Sequence, residues 1–149
     1  MPERDPLEAA RADRDDLLAH EHWLNSEETA AKLGLHLADV HAENWAAEQR
    51  RDKQLFGVRF HGQYLHPEFQ FGATGSVLPK LPALISFLPS TDSNWTAAFW
   101  LFQPHGRFAG QRPVDVFAEN PDAVVSAARE DFVEGPYEGD PALPPRPKR

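Results

Sequence analysis

Four cations crowd one short stretch of this chain: Arg50, Arg51 and Lys53, with Arg59 close behind them. Guanidinium and ammonium groups in such a run neutralise phosphates and release counterions, which gives salt-dependent nucleic-acid affinity. Asn44 and Gln49 lie just upstream, and a side-chain amide can pair with two atoms of an adenine edge at once. The competing reading is a solvated helix end, where Arg and Lys also complement the helix dipole and amides are ordinary surface groups. Trp45 is expected to anchor a core rather than stack on a base. A second group is aromatic. Trp95, Phe99, Trp100 and Phe102 fall within eight residues, and side chains at that density cannot all face one way at 3.6 residues per turn. Some must meet another helix or a partner, where Trp and Phe make strong anchors. The third group is Phe108 to Pro113, FAGQRP, in which Gly110 and Pro113 shape a turn and Arg112 is of a type enriched at interfaces.

Other chemistry is excluded or unsupported. There is no cysteine, so disulfides, thiolate metal sites and thiol nucleophiles are out. The seven histidines include His20 and His22, two apart, and His36 and His41, five apart. Neither spacing puts both rings on one helix face, so no metal is expected. No Gly-x-Ser-x-Gly elbow occurs. The expectation is a protein that is not an enzyme and carries no cofactor.

The elements that must position these groups read as follows. Residues 7–23 form a helix rich in Ala, Leu, Arg and Asp. Asn25 and Glu28 stand as a capping box for a short helix that Gly34 closes. A second helical stretch covers about 37–51. Residues 55–60 and 63–66 flank His61-Gly62, whose glycine supplies the positive φ of a tight hairpin, and Pro67 ends the second strand. A helix pair followed by a hairpin is the outline of a winged helix-turn-helix. Further on, helices are expected at 81–88, at 94–103 capped from Ser90-Thr91-Asp92-Ser93, after Pro113, and after Asn120-Pro121, a cap followed by proline at the first helical position. The Pro-rich end, GPYEGDPALPPRPKR, is expected to be extended or disordered. The fold class is mainly α with a small β-hairpin wing. The division is an N-terminal helix (1–23), a helix-turn-helix-like module (24–71), a linker (72–80), a helical domain (81–134) and a tail (135–149).

The net charge of −8 opposes general nucleic-acid binding. The charge is uneven: −6 over residues 1–53, +2 over 54–112 and −4 over 113–149. A DNA site must therefore be a local basic patch on an acidic molecule. Asp39, Glu43 and Glu48 lie on the predicted helix and would oppose phosphate wherever they face it. No apolar run approaches a membrane span, and the charged N-terminus lacks the apolar core of a secretion signal. A cytoplasmic location is expected.

These motifs, in this order, resemble the MbcA/ParS/Xre-type antitoxins. SEETAAKLGL followed by RRDKQLFGVRFHGQYLHPEFQF is similar to their DNA-binding part, with Lys53-Gln54 in place of a glycine and His66 in place of a tyrosine before proline. NWTAAFWLFQPHGRFAGQRPVDVFAENPDAVVSAA is similar to their toxin-binding domain, with Gly110, Pro113, Asp115, Pro121 and Val124 on the pattern. The resemblance covers about residues 24–133. It implies a type II antitoxin that oligomerises, as a homodimer or larger. Such a protein occludes a toxin, commonly a RES-domain enzyme that consumes NAD, and represses its own operon by binding operator DNA. Taken with the residue chemistry above, the candidate DNA contacts are Asn44, Gln49, Arg50, Arg51, Lys53 and Arg59, and the candidate toxin contacts are Trp95, Trp100, Phe108, Gly110, Arg112 and Pro113. The alternatives are a stand-alone transcriptional regulator and a toxin-binding protein without DNA binding.

Overall fold

The computed structural model describes residues 6–73 and 75–134; the Pro-rich tail lies outside the described residues. The N-terminal half runs α1 (Pro6–His20), β1 (Trp23–Leu24), α2 (Ser26–Lys32), α3 (Asp39–Arg51), β2 (Val58–Phe60) and β3 (Gln63–Pro67). The C-terminal half is helical: α4 (Leu81–Phe87), α5 (Trp95–Phe102), α6 (Pro113–Phe117) and α7 (Pro121–Arg129). The fold is mainly α with one small sheet, as the sequence predicts. No helix among the described residues is long and apolar enough to cross a membrane.

The sheet has the antiparallel order β1-β3-β2. The hairpin pairs Val58 with Leu65, Arg59 with Tyr64 and Phe60 with Gln63. Its tip turns at His61 and Gly62, at φ of 50° and 80°, the two positive values that match the twist of the flanking strands. On the other side of β3, Trp23 pairs with Pro67 and Leu24 with His66. This two-residue strand is absent from the sequence reading, which carries the first helix on to Trp23. The helix ends at His20, and the Trp23 ring turns inward instead, 5.6 Å from Phe102 and 6.3 Å from Trp95.

Packing contacts continue across the expected linker at 72–80. Phe71 bridges Val77, the Leu78 N–H donates to the Gln70 carbonyl at 2.8 Å, and Val77 and Leu78 pack inward. One apolar cluster runs from Phe56 and Val58 through Leu81, Leu84, Trp95 and Leu101 to Phe117 and Val124. The free edge of β2 shows why the halves belong together. The Gly57 carbonyl accepts from Asn94 Nδ2 at 2.8 Å, and the Arg59 carbonyl accepts from Trp95 Nε1 at 2.9 Å. Two side chains at the start of α5 thus satisfy an edge that would otherwise template another strand.

Candidate nucleic-acid interface

The helix pair is built by its caps and its small residues. Asn25 Oδ1 accepts from the Glu28 N–H at 2.8 Å, and Glu28 Oε1 accepts from the Asn25 N–H at 2.9 Å, the capping box the sequence predicts. Ala30 of α2 and Ala42 and Ala46 of α3 are fully buried, so the two helices approach closely. The Asp39 N–H at the start of α3 donates to Glu27 Oε1 at 2.6 Å.

The alanines fix which side of α3 looks outward. Successive residues turn by about 100°, so Asn44 and Arg51 lie at the centre of the face opposite Ala42 and Ala46, with Val40 on one side, Glu48 equally near on the other, and Ala47 beyond Val40. All five are exposed. Glu43 lies well to the side, and Asp39 lies to the rear. Arg51 is loosely tied to Glu48, with Nη2 3.9 Å from Oε1, an exposed pair worth little. Between Asp39 and Gln63 four cations meet four carboxylates. The region is neutral in sum, and its outward face carries the Arg51 guanidinium beside the Glu48 carboxylate.

The wing stands against α3 through a buried chain of polar groups. The Arg50 guanidinium lies 3.7 Å from the Tyr64 ring centroid, and its Nη1 donates to His66 Nε2 at 2.8 Å. The other ring nitrogen, Nδ1, is 3.0 Å from Thr29 Oγ1, whose own hydrogen goes to the Asn25 carbonyl at 2.7 Å. Nε2 is therefore an acceptor and Nδ1 carries the proton. His66 is fully buried. That burial, and the Arg50 cation beside it, push the imidazole down to about 3, so it is neutral. Thr29 of α2, Arg50 of α3 and His66 of β3 form one clamp that holds helix pair and wing together. A hollow of about 210 Å³ opens beside it, bounded by Glu27, Asp39, Glu43, Arg50, Gln63 and Tyr64.

The predicted site residues separate accordingly. Asn44 and Arg51 lie on the outward face of α3. Lys53 follows α3 in an exposed turn at φ 60°, and Arg59 is exposed on the wing. Arg50 is mostly spent on Tyr64 and His66, and its half-buried head is part of the clamp rather than a free phosphate ligand. Gln49 is a correction: it points away from that face, into a hollow shared with Trp45, Leu55 and Val77. Thr29, Tyr64 and the exposed Val40 are not site candidates by sequence, and His66 stands out there only as a departure from the antitoxin pattern. The helical spacing of Val40 and Asn44 was the available signal for Val40; the clamp spans distant segments and had none.

Three of the residues placed on a toxin surface are buried. Trp95 is 1% exposed because it sits between Trp23, Phe60 and Phe99 and caps β2. Phe108 and Pro113 are also in the interior. Burial removes all three as direct contacts. Arg112 is engaged inside the molecule: Nη1 bonds Glu21 at 2.7 Å, while Nε and Nη2 grip Asp115 at 2.7 and 2.9 Å. Those bonds, to Asp115 first, raise its pKa. Trp100 is half-buried, its Nε1 donating to Asp131 at 2.8 Å beside His105. Gly110 remains exposed, in the left-handed turn at φ 85° that suits glycine.

No family model matches this chain, and no curated protein matches it. Among solved structures it is similar to the NMR structure of Rv2175c, with a TM-score of 0.57 and 26% identity, over 74% of this chain and 80% of that chain.

Proposed function

We propose that this protein is a winged-helix DNA-binding regulator that docks α3 in the major groove and lays the β2–β3 hairpin along the adjacent backbone, with no catalytic chemistry of its own. The observation that carries the reading is topological: α1-β1-α2-α3-β2-β3 with the sheet order β1-β3-β2 is the winged-helix arrangement. Its recognition helix presents Asn44 and Arg51 at the centre of its outward face. Arg51, Lys53 and Arg59 supply phosphate contacts, and the acidic remainder of the molecule limits binding to that face. A dimer would read a two-fold-related site. The test is selection of duplexes from a random library by the full chain, followed by affinity measured across a salt series. Log affinity falls linearly with log salt, with a slope set by the phosphates contacted, and replacing Arg51, Lys53 and Arg59 by Ala flattens it. Absence of any retained duplex at low salt refutes the reading.

The antitoxin reading stands second. One observation favours it beyond the resemblance: Gln103, Pro104, Gly106, Arg107, Ala109, Gly110 and Gln111 are all exposed, so the segment around FAGQRP is free to meet a partner protein. Co-expression with the neighbouring reading frame tests it. Co-purification with rescue of growth supports a toxin partner, and absence of both removes that arm.

A further inference from the structure

Val40 is out of place for a solvated helix. It is a β-branched apolar residue, 56% exposed, in the first turn of a helix whose buried side is already filled by Ala42 and Ala46. Asn44 stands one turn later at the centre of the same outward face. A methyl-bearing surface beside an amide, on the N-terminal half of a helix, matches the chemistry of a thymine and an adenine close together in a site. A valine methyl fits the C5-methyl of thymine, and an asparagine amide pairs with N6 and N7 of adenine. The spacing agrees. Four residues rise about 6 Å along the helix axis, close to two base-pair steps of about 3.4 Å. Helices of this kind contact base edges with their N-terminal residues, and Val40 and Asn44 are there, whereas Arg51 lies in the last turn, toward the phosphates.

We infer that Val40 and Asn44 are the specificity-determining pair of α3, reading a thymine methyl and an adenine edge within two base pairs of each other. The inference rests on the DNA-binding reading above. Glu48 is the next residue along the same row, toward the C-terminal end of the helix, where its carboxylate lies 3.9 Å from Arg51, and Glu43 lies well to the side of the pair.

The experiment uses the full chain and the duplex enriched from a random library. Each thymine of the enriched site is replaced in turn by deoxyuridine, which deletes only the methyl, and each adenine by 7-deazaadenine, which deletes only N7. For the unaltered protein, one deoxyuridine lowers affinity about fourfold, the effect of one buried methyl. One 7-deazaadenine lowers it about tenfold, as for loss of a base-edge contact. Val40→Ala loses the sensitivity to deoxyuridine at that position alone, and Asn44→Ala loses the sensitivity to 7-deazaadenine alone. Both residues are exposed, so both variants melt with the unaltered protein. An enriched site whose thymine and adenine responses are unchanged in the two variants overturns the inference and leaves DNA binding standing. Binding without any enriched sequence also overturns it. Failure to retain any duplex overturns the inference and the DNA-binding reading together.

Discussion

Acidification should loosen the joint between helix pair and wing before it affects the rest of the core. His66 is fully buried, accepts from Arg50 Nη1 at 2.8 Å and faces Thr29 Oγ1 at 3.0 Å. A proton added at Nε2 would meet the Arg50 guanidinium head-on. The folded imidazole therefore titrates near 3, against an ordinary value of 6.5. Because the folded value is the lower one, the unfolded chain takes up the proton first. The stability contributed by neutral His66 is complete above pH 6.5 and is lost as pH falls from about 6.5 toward 3. Between pH 7 and pH 5 that loss comes to about 2 kcal/mol, from a slope near 1.4 kcal/mol per pH unit below the unfolded value. The assay is urea unfolding at both pH values on the unaltered protein and on His66→Asn. The variant is less stable at pH 7, having lost the Arg50 bond, but it lacks the titrating group. The unaltered protein should lose about 2 kcal/mol more than the variant over that interval. Equal losses would refute the claim that a neutral, Arg50-paired His66 holds the wing in place.

Further predictions concern the same joint. Gly57 packs against the His66 ring, where an added Cβ would lie 2.7 Å from Cδ2 and 3.1 Å from the Leu65 carbonyl; Gly57→Ala should cost about 1–3 kcal/mol in urea unfolding. Gln70 is fully buried and brackets the chain, with Oε1 accepting from the Phe56 N–H and Nε2 donating to the carbonyls of Phe56 and Pro67. Gln70→Leu strands those three backbone groups and should cost at least about 3 kcal/mol, read as a lowered unfolding midpoint. Trp95→Ala should cost about 3–5 kcal/mol, whereas Trp100→Ala, at a half-exposed site, should cost clearly less by the same measurement.

Local chemistry carried much of the fold into the sequence. Asn25 and Glu28 announce the start of α2, His61-Gly62 announces the hairpin and Asn120-Pro121 announces α7, because each depends on residues a few positions apart. What depends on distant partners was not legible. Strand β1 is two residues long and exists because β3 offers it an edge. The direction of Trp95 is set by the Arg59 carbonyl, 36 positions away. Arg50 reads as a free cation until Tyr64 and His66 are seen to hold it. At the candidate site, composition identified Arg51, Lys53 and Arg59, but helix phase alone could not say which side of α3 was free. The buried alanines decided that, excluding Gln49 and admitting Val40.

The most direct test is an NMR titration of the full chain with the selected duplex. Docking by helix and wing predicts amide shifts concentrated in α3, in the turn at Lys53 and in the hairpin from Arg59 to Gln63, with α6 and α7 unchanged. Shifts confined to α5–α7, or none at a duplex concentration that saturates binding by other means, would contradict it.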